Sequence, residues 1–506
     1  FDMDLSSNTI VLNQTQVDRP GTGSWNYYGA INIYNVYDQG NAFNINEKAI
    51  NVNSINTFDR ININSANPIP LKLNGKKIPG KKLLDSTDDI SLNSLRLNNL
   101  LSGATEYIPN DFIHKTLIDT LNAEDPATTG RSRAIFQYKN YLLVGHSGYI
   151  YNGQNRGAIY IYKKGAITYK LHQTIIGTEN NLFFGADVTM NDKYIVVGSS
   201  GLTTYGSAGN KTGGIHILTE DSTTKMWSLL TLDVTTSTIH YDSDNQGMRP
   251  SDAGNLRWQD GWRNQSQRES SLAITHDNII LIGTPGNSKN YVVYFGFSTY
   301  TNKWVTGKLN APVGGTGNTY KFGYSVATCQ QTTTIFVSAP YLATTYTSGF
   351  VYAYSYENRL SSPASDVLFN STPIKTYGGS GHYFGVSIKV IDNRLIIGAP
   401  GYGSNSSNRG KGLIMVVEPQ TKYNWSNSYT AYTLDYDNSV AGSGGSNIGS
   451  TISAHSNFIF STDYANEKII VWKYEDGTPP DYNFKAAIDI DGIYNGSTYW
   501  SNVYGN

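Results

Sequence analysis

Between Phe384 and Gly401 the chain reads FGVSIKVIDNRLIIGAPG, and the motif closes from Gly412 with GLIMVV. A short strand opens after the Phe-Gly pair. Asp392 and Asn393 then supply a polar turn. The apolar run that follows is how a strand covered on both faces reads. It stops at Gly398-Ala399-Pro400, where proline removes a ladder donor and marks the strand's end. A loop of Gly, Ser and Asn follows, and then a third strand.

The same grammar recurs on both sides of this stretch. Upstream, Phe322-Gly323 leads to Ala339-Pro340 and closes from Gly349 with GFVYAYSY. A copy from Ser271 closes at Tyr291, one from Phe184-Gly185 closes at Gly213–Leu218, and one runs from Ala134 to Tyr162. Downstream, Ile448 opens a last copy that closes from Lys468. A fourth, outer strand is expected in each; Ser228–Val234 and Lys303–Leu309 fit that place. Four short strands recurring every ~50 to 65 residues make one propeller blade. The wider gap between the second and third copies carries an insertion at about 235–270. One blade cannot cover both of its faces, so blades pack radially. Glycine after phenylalanine lets neighbouring backbones approach closely. Six blades are expected, or seven if one is degenerate. Lys115–Asn122 and Phe484–Asp491 both read as outer strands. One of them would complete the blade that joins the chain's ends.

The pairs Phe184-Gly185, Phe322-Gly323 and Phe384-Gly385, with Ala339-Pro340 and Gly398-Ala399-Pro400, resemble the FG-GAP repeats of integrin-α-type β-propellers. The resemblance covers about three quarters of the chain and rests on both half-motifs recurring in order. Calcium-binding members of that family carry an Asp-rich loop between the first two strands of a blade. The corresponding turns here are MNDK, THDN, CQQTT and IDNR. They are too short and too poor in carboxylates for an ion that takes six to eight oxygens. No metal and no cofactor is therefore expected.

Composition agrees with an all-β fold. The chain has 506 residues with 50 Gly and 38 Tyr, and only 15% are charged. Tyr and Thr favour strands, whereas Gly and Asn favour turns. The formal net charge is −1, with no basic stripe, which argues against nucleic-acid binding. No apolar run is long enough to span a membrane. Cys329 is the only cysteine, which rules out an intrachain disulfide. It reads as a passive thiol.

Residues 1–112 differ from the rest. AINVNSINTFDRININSANPIPLKLNGKKIPG, from Ala49, alternates apolar residues with Asn and other polar residues, which argues for half-buried strands. Such Asn-bearing short strands resemble fibre and shaft segments of phage and viral surface proteins. The expectation is a β-rich attachment region at 1–112 followed by a propeller at 113–506. The other reading is an ordinary β-domain with no assembly role.

The insertion holds the candidate ligand residues. Trp258 and Trp262 lie four apart beside Arg257 and Arg263. Aromatic faces next to planar hydrogen-bonding groups suit sugar rings and protein hot spots. The alternative is a folded loop whose tryptophans anchor it to the ring. Asp242–Gly247 (DSDNQG) and Asp489–Gly492 (DIDG) are calcium-loop-like but lack the later bidentate Glu. No His/Glu cluster, nucleophile elbow or P-loop is present. These features point to a non-enzymatic surface structural or binding protein. Its propeller would serve as a rigid adhesion or receptor-binding platform on a larger assembly, a virion or cell-surface appendage. Its partners would be proteins of that assembly, and a glycan or host receptor. The alternative is a secreted carbohydrate-active propeller enzyme, which needs paired carboxylates in the central channel.

Overall fold

The computed structural model describes the strands named below and the turns joining them between residues 132 and 475. Within that span the described residues exclude 166–168, 181–182, 200–212, 232–238, 242–246, 251–271, 286–290, 313–320, 341–347, 381–382, 403–410, 435–446, 456 and 464–467. Every regular element among them is a β-strand.

Six of the sheets are the blades that the repeat predicts, and each runs from inside to outside in chain order. Numbering blades along the chain, blade 2 is Ser132–Tyr138, Tyr141–His146, Ala158–Lys164 and Tyr169–Ile176. Blade 3 is Phe184–Met190, Ile195–Ser199 and Gly214–Glu220, with its fourth position shared by Trp227–Leu229 and Gly247–Pro250. Blade 4 is Leu272–Ile274, Ile280–Thr284, Tyr291–Ser298 and Lys303–Asn310. Blade 5 is Val326–Thr328, Thr334–Ala339 and Ser348–Asn358, with Val367–Phe369 and Lys375–Ser380 sharing the outer edge. Blade 6 is Ile388–Ile391, Arg394–Gly398, Ile414–Pro419 and Tyr429–Leu434. Blade 7 is Ile452–His455, Phe458–Asp463, Lys468–Glu475 and Asp481–Asp489.

A further four-stranded sheet closes the ring. Blade 1 is Asp2–Ser6, Thr9–Val17, Tyr28–Asp38 and Ile113–Asn122. Its inner strand lies against the inner strands of blade 2 and blade 7. The two look-alike outer strands therefore belong to different blades, 1 and 7. Among the described residues blades 1 and 7 share no strand, and their inner strands meet by packing.

This arrangement moves the domain boundary expected at residue 112. Phe1–Tyr34 group with Leu117–Asn506 as one compact unit, and Asn35–Thr116 form the other. The reason is strand pairing: the first three strands complete a sheet whose fourth strand lies some eighty residues on. The second unit is thus inserted between the third and fourth strands of a blade. Within it, Phe43–Asn46 pairs parallel with Ile61–Asn64, and Ile50–Val52 pairs parallel with Leu71–Leu73. Asn44 lies opposite Asn62 and Asn46 opposite Asn64 in register.

The apolar cores lie between blades. Val196, Ile215 and Ile217 of blade 3 pack with Leu272, Ile280 and Ile282 of blade 4. Ile335, Val337 and Tyr354 of blade 5 pack with Leu281 and Val292 of blade 4. Second strands are covered on both faces, as their unbroken apolar runs predict: Leu142, Leu143 and Val144 are all buried. Burying one such side chain stabilises by about 1.5–3 kcal/mol.

The Phe-Gly motif is the joint between blades. Phe184, Phe322 and Phe384 are buried, and Ile448 takes the same place in blade 7. The following Gly185, Gly323, Gly385 and Gly449 adopt φ of 89°, 89°, 91° and 87°, a conformation that favours glycine. Each dipeptide is gripped by glycines of the preceding blade. A Cβ on Gly145, Gly283 or Gly398 would stand 2.2, 1.8 or 1.9 Å from the carbonyl oxygen of Gly185, Gly323 or Gly449. A Cβ on Gly157, Gly349 or Gly412 would stand 2.2, 2.0 or 2.1 Å from that of Phe184, Phe384 or Ile448. Ala339 and Ala399 are buried where their strands end. Ala399 exchanges backbone bonds with Leu413 just before Pro400 ends the ladder.

Candidate functional site

The order of strands gives the ring two unlike faces. Connections between first and second strands, and between third and fourth, emerge on one face and, outside blade 1, run to nine residues or fewer. Connections between second and third strands, and from one blade to the next, emerge on the other. That loop face carries the long Gly/Ser/Asn segments and the insertion. Loops held by a rigid scaffold are where binding residues concentrate.

Blade 2 builds a defined element on the loop face. Ile150–Tyr151 pairs with Gln154–Asn155 across Asn152 and Gly153, whose φ values of 50° and 74° suit the tightest hairpin turn. Ile150 and Tyr151 are 38% and 40% exposed, which is high for apolar side chains of an ordered hairpin. The Arg156 guanidinium lies 5.6 Å over the Tyr151 ring. Its Nε and Nη2 donate to Gln154 Oε1 at 2.9 and 2.7 Å. The Asn155 amide donates to Asn180 Oδ1 at 3.0 Å, tying the hairpin to the link into blade 3. An aromatic ring, a fixed cation and carboxamides thus share one small surface. Its Asn-Gly turn, flanked by Ile-Tyr, was the signal in the sequence.

The insertion begins with a second hairpin on blade 3. Ile239–Tyr241 and Gly247–Pro250 form a hairpin that pairs with Ile215 and His216 at the loop-face half of blade 3. Trp258, Trp262, Arg257 and Arg263 lie outside the described residues. Asp242, Asp244 and Asp491 also lie outside them, while Asp489 ends the last strand opposite Lys468. Among the described residues no group of three or more His, Cys, Asp or Glu side chains could hold a metal ion.

Two histidines sit at the Phe184-Gly185 joint, His146 at the end of the second strand of blade 2 and His216 on the third strand of blade 3. Ser199 Oγ is 2.9 Å from His216 Nδ1, and both residues are wholly buried. The pair has the spacing of a nucleophile and its base, but a hydroxyl with no path to solvent serves packing and polar satisfaction. His216 also meets the Phe184 ring edge-on at 5.2 Å. His146, equally buried, stands 3.4 Å from Tyr160 Oη through Nδ1. Cys329 is buried and its thiol meets Gln331 Oε1 at 3.5 Å, as a passive thiol would.

The turn face is braced by polar contacts that local sequence did not signal. Asp277, in the blade 4 turn, accepts from Thr275 Oγ1, from Tyr356 Oη at 2.7 Å and from Asn358 Nδ2 at 2.8 Å. The last two belong to blade 5. Burial, and then the Asp277 charge, push the Tyr356 hydroxyl above the usual tyrosine range. Between blades 6 and 7, Arg394 Nη1 donates to Tyr482 Oη at 3.2 Å, and the guanidinium lies 5.4 Å from the Tyr474 ring. Glu418 Oε1 accepts from Tyr482 Oη at 3.2 Å. Burial dominates here also, raising the Tyr482 hydroxyl against the opposing pull of Arg394.

No family model matches the chain, and no curated protein matches it. Solved structures similar to it include Hsv2 from Kluyvelomyces marxianus, at 10% identity over 75% of this chain and 92% of that one, with a TM-score of 0.36. A putative 6-phosphogluconolactonase from Bacteroides uniformis is similar at 9% identity over 75% and 93%, with a TM-score of 0.40. The periplasmic gluconolactonase of Pseudomonas aeruginosa is similar at 8% identity over 74% and 88%, with a TM-score of 0.38. At such identities the likeness concerns the fold alone. The protein is an all-β propeller in which one blade carries a separate inserted unit.

Proposed function

We propose that the protein is a non-enzymatic surface component in which the propeller is a rigid binding platform and the inserted unit attaches it to a larger assembly. The observation that carries this reading is the insertion itself. Residues 35–116 form their own compact unit between two strands of one blade, so the unit is held at both ends of its chain. Its parallel, in-register strands with opposed asparagines suit a shaft-like segment. The glycine joints favour a disc that keeps its loops in fixed relation, as a platform requires. Its loop face would meet a glycan or a host receptor, with Tyr151, Arg156 and the Trp258/Trp262 insertion as the contact groups. The setting would be a virion or a cell-surface appendage.

The test is to locate the chain in its native particle or cell by immunogold labelling of the intact assembly, alongside a variant in which residues 39–112 are replaced by a short linker. The expected result is surface label for the natural chain and loss of attachment by a variant whose ring still folds. A screen on glycans that finds turnover would overturn the reading, as would attachment that persists without the inserted unit.

A further inference from the structure

The turn face of blades 2 and 3 gathers charge of one sign on a chain whose net charge is only −1. Lys139, Lys163, Lys164 and Lys170 of blade 2 and Lys193 and Lys225 of blade 3 all stand at turn-face strand ends or turns. Against these six, Asp192, Glu220 and Asp221 are the carboxylates of the same turns, so the region carries 6 − 3 = +3. Asp192 is engaged by Lys139. Glu220 accepts from Tyr141 Oη at 2.9 Å and faces Lys225 at 3.8 Å. Asp221 is taken by the amides of Thr223 and Thr224, at 2.9 and 2.7 Å. Among the described residues no carboxylate lies within ion-pair reach of Lys163, Lys164, Lys170 or Lys193.

The register makes this more than a scatter of lysines. Tyr138, Tyr141, Lys163 and Lys170 form one row across blade 2, each directly opposite the next. Two like charges directly opposite on antiparallel strands destabilise a sheet. An anion lying between the two ammonium groups reverses the sign of that term. The tyrosines of the patch are already covered: Lys139, Lys163 and Lys193 lie 5.2, 5.4 and 5.0 Å from the rings of Tyr138, Tyr141 and Tyr194.

We propose that the turn face of blades 2 and 3 binds an acidic polysaccharide, carboxylated or sulfated, across a row of ammonium groups centred on Lys163 and Lys170. Charge complementarity selects an extended polyanion, because the lysines span two blades rather than converging on one point. Single-stranded nucleic acid fits less well, since it needs free aromatic faces on which bases stack, and these rings carry lysines. A bilayer fits less well too. Among the described residues of the patch only two aliphatic side chains, Leu171 and Met226, are exposed, and they stand on a sheet and a turn rather than along the continuous apolar face of an interfacial helix. This site lies on the opposite face from the loops of the proposed platform. It can hold if that platform reading fails, and the reverse.

The experiment is binding of the full chain to heparin and to polygalacturonate at low and high salt, with neutral dextran, a single-stranded oligonucleotide and anionic phosphatidylserine vesicles as the other arms. The variants are K163Q/K170Q and, as a remote control, K375Q. The expected result is salt-sensitive binding to one or both acidic polysaccharides. It should weaken by about tenfold or more in K163Q/K170Q and stay unchanged in K375Q. Without ligand, K163Q/K170Q should melt close to the natural chain, because loss of the repulsive pair offsets loss of the Lys163–Tyr141 ring contact. The polysaccharide should raise the melting temperature of the natural chain but not of the double variant. Absence of binding at low salt, equal binding by K163Q/K170Q, or binding of the oligonucleotide or vesicles as tight as that of either polysaccharide would each overturn the proposal.

Discussion

Gly283→Ala isolates the joint between blades from every other role of glycine. Gly283 sits in the second strand of blade 4, and an added Cβ would lie 1.8 Å from the Gly323 carbonyl oxygen and 2.7 Å from its carbon. A carbon and an oxygen in contact need roughly 3.3 Å, so two packed backbones must part by about 1.5 Å. Neither can yield by a rotamer change. The cost lies at the upper end of overpacking, about 3 kcal/mol. Gly153→Ala is the matched control. Nothing lies within 4 Å of its Cβ, but its φ is +74°, so the variant bears only the conformational term of about 1–2 kcal/mol. Gly323→Ala combines both, with φ of +89° and the Thr284 amide nitrogen 2.9 Å away. Thermal and urea unfolding of the three variants should rank them Gly323→Ala and Gly283→Ala well below Gly153→Ala in stability. If Gly283→Ala melts like the natural protein, or loses less than Gly153→Ala, the blades do not touch where the Phe-Gly motif places them.

Asp277→Ala removes a carboxylate that serves three donors across blades 4 and 5. It should cost about 2 kcal/mol in urea unfolding, with Tyr356→Phe costing about 1 kcal/mol because Asp277 keeps two partners. Arg394→Ala strips the cation from Glu418 and Tyr482 and should cost about 3 kcal/mol, the scale for removing one member of a buried charged set. Its unfolding should show reduced cooperativity between blades 6 and 7. His455 is held below the ordinary histidine range, chiefly by burial. The folded state therefore favours its neutral form, and that stability is present above about pH 6.5 and lost as pH falls through the lower folded value. The melting temperature of His455→Gln should fall less between neutral pH and pH 5 than that of the natural chain.

The repeat was legible because its chemistry is local. A Phe-Gly pair, an apolar run and an Ala-Pro stop each specify one feature of a strand, and their order specifies a blade. Blade 4 lacks the Phe-Gly pair, yet Leu272–Ile274 still reads as an inner strand from its apolar residues. Blade 1 was not legible, because its fourth strand at Ile113–Asn122 is separated from the other three by an inserted unit. A blade split in this way leaves no repeat period to find. What remained visible was the likeness of Lys115–Asn122 to Phe484–Asp491, two outer strands in equivalent places. The contacts of Asp277 with Tyr356 and Asn358 escaped for a different reason. They join residues some eighty positions apart, and nothing near Asp277 marks it as more than a turn residue. The lysine row escaped because Lys163 and Lys170 become neighbours only once the register of two strands is known. Of the candidate site, composition marks the Trp258/Trp262 insertion, and the Asn-Gly turn of the Tyr151 hairpin is a strong local signal.

The ring closes through a blade built from both sides of the inserted unit. A cryo-electron microscopy map of the purified full chain tests it most directly. The map should show seven sheets around the axis, with the one between Ile452–Asp489 and Ser132–Ile176 formed by Asp2–Asp38 and Ile113–Asn122. A ring of six sheets, with the first 38 residues placed elsewhere, would contradict it.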